Sequence, residues 1–261
     1  IRTLTGKLCG FEALARWESP THGRLSPADF IPALEEARLI HRLDAYVVEQ
    51  VAKLHHNLTS NDQPTLPVSF NLSRLDFALM DCPAVVEDIV RRYSLPRSLF
   101  HVEVTENALV ENAGLIQDGV QRFRELGYEV WLDDFGSGYS SLNVLKDYKF
   151  DELKLDMAFL RTFNEASTKI IRSSVCLAKE LGMHTLAEGV ETAEQVAFLR
   201  SIGCEKMQGW YYGKPLPYEE CRQQMLEEGY VNETPAEAFL FSAAGLVDVT
   251  AATPTALWLT T

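Results

Sequence analysis

Positive charge is scarce in this sequence. The 261 residues include 24 Lys and Arg against 37 Asp and Glu, which gives a formal net charge of -13 at pH 7. An excess of negative charge repels polyanions, so a protein that holds polymeric nucleic acid on a basic surface is disfavoured. A small anionic substrate is compatible with this balance if bound metal ions supply positive charge at its site.

Cysteine and long apolar runs are also scarce. The five cysteines form no CxxC pair and are odd in number, which favours dispersed buried thiols in a reducing compartment over disulfides or a zinc site. No apolar run approaches the length of a membrane span, and no signal peptide opens the chain. We therefore expect a cytoplasmic protein whose sequenced segment makes no membrane contact, although further N-terminal segments could anchor the full-length protein.

The chain opens on Ile1 rather than Met, close to its first recognisable element, so we expect a fragment of a longer protein. Its composition is ordinary for a globular protein, with 46% hydrophobic and 23% charged residues. A chain of this length can bury a full core as one large α/β domain or as two small ones.

Short apolar segments alternate with helical patterns along the chain. Ser26 followed by Pro27 predicts the start of the first helix, and another short helix is predicted from Ser140. Strands are predicted at residues 7–14, 67–73, 99–106, 128–135, 152–159, 184–191 and 204–213. Seven strands that alternate with helices favour parallel pairing through βαβ units.

The predicted strands also place polar residues on one face. In residues 99–106, Val102 and Val104 share one face while Glu103 and Thr105 share the other. An open doubly wound sheet would give continuous apolar runs, so this alternation favours a closed barrel with its site at the carboxyl ends of the strands. We expect one barrel domain over residues 1–230. Residues 231–261 are expected to form a tail, either a β-ribbon packed on the barrel or the start of another element.

An acidic pair lies near the middle of the chain. Asp133 and Asp134 follow a buried strand pattern and precede a Gly-Ser-rich turn. Neighbouring side chains on a strand point to opposite faces, so the pair can share a metal site only where the strand is ending. A solvated acidic turn is the simpler interpretation of this stretch taken by itself.

Polar residues at the other predicted strand ends favour the metal interpretation. They are Glu12, Asn71, Glu103, Lys154, Glu188 and Gln208. Oxygen ligands without His or Cys indicate Mg²⁺ or Mn²⁺ rather than zinc. Two such metals could clamp the attacking and leaving oxygens of a phosphodiester, with Lys154 balancing charge or orienting the attacking water.

Eight ordered motifs resemble those of EAL domains, the cyclic di-GMP phosphodiesterases of bacteria. The match runs from about residue 4 to residue 220, whereas a lone Glu-Ala-Leu would carry no weight. The motifs are Glu12-Ala13-Leu14 with Arg16-Trp17, Asn71-Leu72-Ser73, Glu103-Val104-Thr105-Glu106, Asp133-Asp134-Phe135-Gly136, Gly138-Tyr139-Ser140-Ser141-Leu142, Lys154-Leu155-Asp156, Ala187-Glu188-Gly189-Val190-Glu191-Thr192 and Gln208-Gly209.

The resemblance implies a modified TIM-like (β/α)₈ barrel with one antiparallel strand. It also implies hydrolysis of cyclic di-GMP to linear pGpG in bacterial second-messenger signalling. The family's opening strand, which usually bears a Gln-Pro-Ile run, falls just upstream of Ile1 and is missing from this chain. Barrel closure and one substrate contact are therefore left unexplained by the sequence.

The resemblance further assigns residues to two metals and to the chemistry. Ligands of one metal are Glu12, Asn71, Glu103 and Asp133, and Asp133 with Asp134 serves the second. Lys154 matches a water-positioning lysine, and Glu188 a general base or a ligand through water, so with Glu12 they are the expected catalytic residues. Arg16 matches an arginine that meets a substrate phosphate, and Gln208 a glutamine at the base of the site.

Other residues match supporting positions in the family. Glu106 and the loop from Phe135 to Ser141 correspond to the segment that couples the metal site to dimerisation, and Ser137 stands where Thr is usual. Asp156 and Glu191 match positions that orient ligands rather than touch substrate. We therefore expect a homodimer, with a GGDEF or sensor domain upstream in the full-length protein.

Two other functions are compatible with part of this pattern. A catalytically silent receptor would bind cyclic di-GMP and signal through its dimer or a partner, but such receptors typically lose ligands or the loop after Asp134. A barrel glycosidase would use two strand-end carboxylates. The number of carboxylates, the adjacent Asp pair and Lys154 fit a glycosidase poorly.

Overall fold

The structure is a computed structural model that describes residues 1–111, 113–137 and 145–244. The helix predicted from Ser140, the motif at residues 138–142 and the last part of the predicted tail lie outside these ranges. Within them the chain is mixed α/β, with helices that alternate with strands. It divides into two compact units, Cys9–Glu152, called here the N-terminal unit, and Ile1–Leu8 with Leu153–Thr261, called the C-terminal unit.

Four parallel strands form the centre of the N-terminal unit, in the order β1, β4, β5 and β6, and a small antiparallel hairpin of β2 and β3 precedes the first helix. Val102, Val104 and Leu132 are fully buried in these strands. The strands are β1 (Phe11–Ala13), β2 (Trp17–Ser19), β3 (Gly23–Leu25), β4 (Val68–Asn71), β5 (Phe100–Thr105) and β6 (Glu129–Phe135).

The helices of this unit connect its parallel strands, as βαβ crossovers require. Ser26 caps the first of them and Pro27 occupies its first turn, which confirms the predicted start. The helices are α1 (Pro27–Glu36), α2 (Ile40–Ser60), α3 (Arg74–Leu79), α4 (Cys82–Arg92), α5 (Glu106–Glu111) and α6 (Ala113–Leu126), with a short 3₁₀ turn at Arg97–Leu99.

The C-terminal unit repeats the alternation on a smaller scale. Its strands β7, β8 and β9 are neighbours in that order, and β8 pairs in parallel with β9. The elements are β7 (Glu152–Leu155), α7 (Ala158–Arg161), α8 (Glu165–Glu180), β8 (His184–Ala187), α9 (Ala193–Ser201), β9 (Lys206–Met207), α10 (Tyr218–Glu227) and α11 (Pro235–Ala244). Arg2 forms an isolated antiparallel bridge with Lys206 of β9, and the antiparallel barrel strand implied by the resemblance stays a prediction.

Three predicted strands of the C-terminal unit end earlier than expected. The strand predicted over residues 152–159 stops at Leu155 because the Asp156 carboxylate accepts from the Ala158 amide at 2.7 Å and starts α7. The strand predicted over 184–191 stops at Ala187. Two residues later Gly189 adopts a φ of 68°, which is not compatible with an extended strand. The strand predicted over 204–213 keeps only Lys206–Met207.

The first residues of the chain are fastened by the segment after residue 230. Arg2 donates two hydrogen bonds of 2.8 Å to Glu233, and both side chains are buried. Leu8 pairs with Asn232 in a parallel bridge, and Lys7 meets Glu237 at the start of α11. The β-ribbon predicted for the tail is wrong over Pro235–Ala244, which is helical. The boundary predicted at residue 230 stays a prediction, and these contacts cross it.

Two smaller predictions concern the burial of the cysteines and the absence of a membrane span. All five cysteines are free, but only Cys82 and Cys204 are buried, so the expectation of uniformly buried thiols is wrong for Cys176, which is exposed. No helix in the described ranges combines the length and the apolar character that a bilayer span requires.

Candidate functional site

The strand registers of the N-terminal unit place four predicted metal ligands on one face of its sheet. Asn71 lies opposite Glu103, and Thr105, two residues beyond Glu103, lies opposite Asp133. Glu12 lies opposite Ser69, two residues before Asn71. Residues paired across a ladder share a face, as do residues two apart along a strand. Glu12, Asn71, Glu103 and Asp133 therefore point to the same side.

Burial of these ligands is uneven. Glu103 is fully buried and Asp133 is 7% exposed, whereas Glu12 and Asn71 are half-buried. The Asn71 side-chain amide donates to Glu12 Oε1 at 3.2 Å, which holds the two side chains together. Carboxylates are buried at a high energetic cost unless partners or a cation compensate them. This face thus carries a concentration of oxygen donors that a divalent cation would stabilise.

Asp134 departs from the regular alternation of β6. Its φ is 55°, in the left-handed region that Asp and Asn enter more readily than most residues. The Asp133 carboxylate accepts from the Asp134 amide at 2.9 Å and supports this turn. The conformation re-aims the Asp134 side chain within the last residues of the strand, as expected for an acidic pair at a strand end.

The turn after Asp134 is fastened to α5. Glu106, the first residue of α5, is 1% exposed and accepts from the Gly136 amide at 3.0 Å. Ser137 is exposed, and its amide donates to the Asp134 carbonyl at 3.0 Å. The remainder of the predicted regulatory loop, residues 138–141, lies outside the described residues.

The C-terminal unit contributes a buried ion pair. Lys154 lies on β7 with a side chain that is 1% exposed, and its ammonium is 2.9 Å from Glu188 Oε1. Glu188 follows β8 directly, and its amide donates to the Leu155 carbonyl at 3.1 Å. The pair therefore joins neighbouring strand ends through both backbone and side chain. A buried ammonium is energetically costly without a counter-charge, and Glu188 supplies one.

Two glycines let the chain pass closely behind these residues. A Cβ at Gly189 would lie 2.5 Å from Met157 Cβ, and Gly189 also has a positive φ. A Cβ at Gly209 would lie 2.2 Å from the Val190 backbone. Gln208 is half-buried, and its carbonyl accepts from the Val190 amide at 3.0 Å. Glycine at both positions thus permits the backbone path on which Glu188 and Gln208 sit.

The remaining predicted residues are more exposed. Arg16 is exposed, and its guanidinium donates to the Ala15 carbonyl at 2.8 Å. Glu191 is exposed, and its amide rather than its carboxylate takes part in the loop that follows β8. Asp156 is half-buried and caps α7. Their predicted roles in substrate binding or ligand orientation stay predictions.

Gln195 is a supporting residue that the motif reasoning missed. Its side chain accepts from the Glu191 and Thr192 amides at 2.7 and 3.0 Å and donates to the Leu160 carbonyl at 3.0 Å. These bonds fix the loop that leads from Glu188 into α9. The signal was present in the sequence, because Thr192 with Gln195 three residues later forms a capping box.

Most of the chain matches one known protein family. The family described as EAL domain matches residues 1–215. The chain belongs to the EAL domain family. Known EAL proteins agree with this assignment over most of the chain, and the oxygen-rich face of the N-terminal unit is the donor chemistry that Mg²⁺ or Mn²⁺ prefers.

Curated EAL relatives include named phosphodiesterases. The cyclic di-GMP phosphodiesterase PdeR of Escherichia coli K12 is 36% identical over 221 residues, covering 82% of this chain and 33% of PdeR. The bifunctional diguanylate cyclase/cyclic di-GMP phosphodiesterase MucR of Pseudomonas aeruginosa is 34% identical over 217 residues, covering 82% of this chain and 32% of MucR. An uncharacterised signalling protein of Caulobacter vibrioides is 36% identical over 220 residues, covering 84% of this chain and 27% of that protein. The chain thus spans about a third or less of these relatives.

Solved EAL structures share the fold. The MucR phosphodiesterase in complex with cyclic di-GMP matches with a TM-score of 0.74 at 33% identity, covering 80% of this chain and 85% of that one. The EAL enzyme Bd1971, bound to cAMP and cyclic di-GMP, matches with a TM-score of 0.79 at 26% identity, covering 86% and 62%. These likenesses confirm the predicted fold class, a modified TIM barrel.

Proposed function

We propose that this EAL domain hydrolyses cyclic di-GMP to linear pGpG with the help of divalent metal ions. The observation that carries the proposal is the single sheet face that bears Glu12, Asn71, Glu103 and Asp133. All four occur in EAL motifs, and relatives at 34–36% identity are named cyclic di-GMP phosphodiesterases.

Metal binding falls to the acidic and amide side chains of the N-terminal unit. Glu12, Asn71, Glu103 and Asp133 would hold one Mg²⁺ or Mn²⁺, and Asp133 with Asp134 would serve a second. Such ions, when bound, lower the pKa of a coordinated water and offset the charge of the phosphodiester. The left-handed turn at Asp134 supports its assignment, because it lets adjacent residues avoid the opposite orientations of a regular strand.

Lys154 and Glu188 are proposed to handle the attacking water. Glu188 accepts the proton, and Lys154 holds the Glu188 carboxylate in place through their 2.9 Å contact. The burial of Lys154 holds its ammonium in one position, which favours orientation of the attacking water. The family resemblance assigns both residues to the same reaction as the metal ligands.

Substrate recognition is proposed for Arg16 and Gln208. The Arg16 side chain is exposed and bonded only to its neighbouring carbonyl among the hydrogen bonds described for it, so its guanidinium can turn toward a phosphate at little cost. The proposed substrate is small and dianionic, which reconciles phosphate recognition with the acidic composition of the chain.

Partners and regulation follow the same family logic. We propose a homodimer in which Glu106 and Ser137 transmit contacts from the loop to Asp133 and Asp134. Because the relatives are about three times longer than the matching segment, a GGDEF or sensor domain is proposed to precede this one in the whole protein. Substitution of Glu106 and Ser137 that changes neither metal affinity nor dimerisation would contradict the regulatory role.

The test is a hydrolysis assay on metal-stripped protein. Cyclic di-GMP and pGpG are quantified by chromatography without metal, with Mg²⁺ and with Mn²⁺. We expect pGpG only with metal, loss of product in Glu103→Gln, and wild-type rates in Glu180→Gln, an exposed acidic control on α8. Tight cyclic di-GMP binding with no pGpG under either metal would favour the silent receptor, and metal-independent turnover would reject the proposal.

A further inference from the structure

Three acidic side chains converge on Ser73, the N-cap of α3. The Ser73 hydroxyl donates to Glu35 Oε1 at 2.8 Å. Its amide donates to Asp76 Oδ2 at 2.7 Å and is also 3.4 Å from Asp44 Oδ2. Glu35 lies in the last turn of α1, Asp44 lies on α2 and Asp76 lies on α3. Three helices thus meet at one capping residue, and none of these acids belongs to the proposed catalytic set.

The donors at this cap do not suffice for the acceptors. Asp44 and Asp76 draw on the same Ser73 amide, and the geometry favours Asp76. Asp76 is fully buried, and its second oxygen, Oδ1, has no hydrogen-bond partner among the residues that the structure describes. A buried carboxylate with one oxygen left unsatisfied is costly, because a charged group loses hydration without replacement. A protonated carboxyl would instead offer a hydroxyl donor to a neighbouring carboxylate.

The surrounding groups add more negative charge than positive. Glu35 repels both aspartates. Burial, followed by the negative charge of Asp76, raises the pKa of the Cys82 thiol on α4. His41 on α2 is the neighbouring group whose charge stabilises the Asp44 carboxylate. Arg74 is the other charged residue in the first turn of α3. The cluster therefore favours uptake of one positive charge.

We propose that Asp44 and Asp76 share a single proton at neutral pH and act as a proton-dependent clamp between α2 and the first turn of α3. The shared proton supplies the missing donor and removes one of two neighbouring carboxylate charges, of which that of Asp76 is buried. Since α3 begins directly after β4, the clamp braces the segment that follows Asn71. The arrangement is independent of the proposed hydrolysis.

The direction of the pKa shifts agrees with this arrangement. Burial, followed by the interaction with the neighbouring Asp44 carboxylate, raises the pKa of Asp76 to about 9, and burial also raises the pKa of Asp44. The folded protein therefore binds a proton that the unfolded chain releases near the ordinary value of 3.8. Stability from this proton is complete below that value and is lost as the pH rises toward 9. The titration belongs to the pair rather than to either residue.

The first experiment compares unfolding temperatures at pH 6 and pH 9. From pH 6 to pH 9 we expect the unfolding temperature of the wild-type protein to fall by about 3 °C or more beyond the fall seen in Asp76→Asn. The amide that Asp76→Asn introduces can donate to Asp44 at every pH, so that variant does not depend on the proton. Asp118→Asn, an exposed substitution on α6, should keep the wild-type pH dependence. An identical pH dependence in wild type and Asp76→Asn would overturn the clamp.

The second experiment observes the proton directly, so the test survives if Asp76→Asn fails to fold. Carbon-13 NMR of the aspartate carboxyl groups in the full chain should show one protonated carboxyl at pH 7, and Asp44→Asn should lower the pH at which that carboxyl ionises. Ionisation of both aspartates near pH 4 would refute the proposal. Loss of the protonated signal when Mg²⁺ is added at pH 7 would also refute it, because the pair would then be a cation site.

Discussion

The ammonium nitrogen of Lys154 lies 2.9 Å from Glu188 Oε1, and the lysine side chain is 1% exposed while that of Glu188 is 18% exposed. The pair therefore has one partner sealed in the interior and one that reaches solvent. Such asymmetry suits a group that must stay fixed beside a group that must exchange protons. It also makes the lysine the more sensitive target for substitution.

Replacement of this lysine should damage both stability and activity. Lys154→Met removes the counter-charge of Glu188 and should lower the free energy of unfolding by about 3 kcal/mol, the low end for breaking a buried pair because Glu188 is partly exposed. Under the proposed function it should also abolish pGpG formation. Urea unfolding and the hydrolysis assay measure the two effects. Lys169→Met breaks an exposed pair with Glu165 and should change little, and equal effects of the two variants would contradict this account.

A second prediction concerns the Asn71–Glu12 contact. Asn71→Asp places two carboxylates at the position where an amide now donates at 3.2 Å. Repulsion should lower the unfolding temperature without metal, and Mg²⁺ should raise it by more than in wild type. Thermal unfolding with chelator and then with excess Mg²⁺ measures the difference. The exposed Asn57→Asp on α2 is the control, and an equal Mg²⁺ response in all three proteins would argue against a cation at Asn71.

The turn after the acidic pair should depend on one carboxylate. Glu106→Ala removes the acceptor of the Gly136 amide and should cost about 1 kcal/mol, the usual net contribution of one hydrogen bond, because Gly136 is exposed and water can take the place of the carboxylate. Glu106→Gln keeps an acceptor oxygen of similar reach and should cost less. Denaturant unfolding of both variants tests the difference, which would vanish if the glutamate only fills space.

Acid sensitivity should be concentrated in a cluster around Glu87. Hydrogen bonds from Arg97, Tyr128 and Arg91, with that of Arg97 the largest effect, lower the pKa of Glu87 to about 2. A depressed pKa means that the stabilisation is complete above about 4.5 and is lost as the pH falls through about 2. Glu87→Gln should therefore be less stable than wild type at pH 6, with the gap narrowing toward pH 2. A constant gap over this range, measured by urea unfolding, would contradict the assignment.

The alternation of strands and helices, and the positions of the polar residues near the strand ends, could be predicted from the sequence. Both follow from apolar residues that recur every two residues in strands and every three to four residues in helices. The sequence did not predict where strands stop. The alternating pattern placed Asp156 in the strand, yet its carboxylate accepts from the Ala158 amide two residues later and caps α7. The hairpin of β2 and β3 was not predicted, since its strands are three residues long and largely exposed.

The ion cluster around Ser73 was invisible for a related reason. Glu35, Asp44 and Asp76 are far apart in the sequence, and each resembles an ordinary acidic residue on an amphipathic helix. Only the packing of three helices at one cap reveals that their acceptors outnumber their donors. Chemistry that arises from convergence of separate elements cannot be inferred from spacing along one of them.

The Arg2–Glu233 ion pair has a practical consequence for anyone who shortens this polypeptide. A gene trimmed to the end of the family match at residue 215 would delete Glu233 and leave the guanidinium of Arg2 in the interior without its carboxylate. Arg2 also forms an antiparallel bridge with Lys206 of β9, two residues before Gln208. Loss of the ion pair would therefore disturb the segment next to a residue that is proposed to bind substrate. Poor expression yield or low stability of such a fragment would reflect the loss of this ion pair.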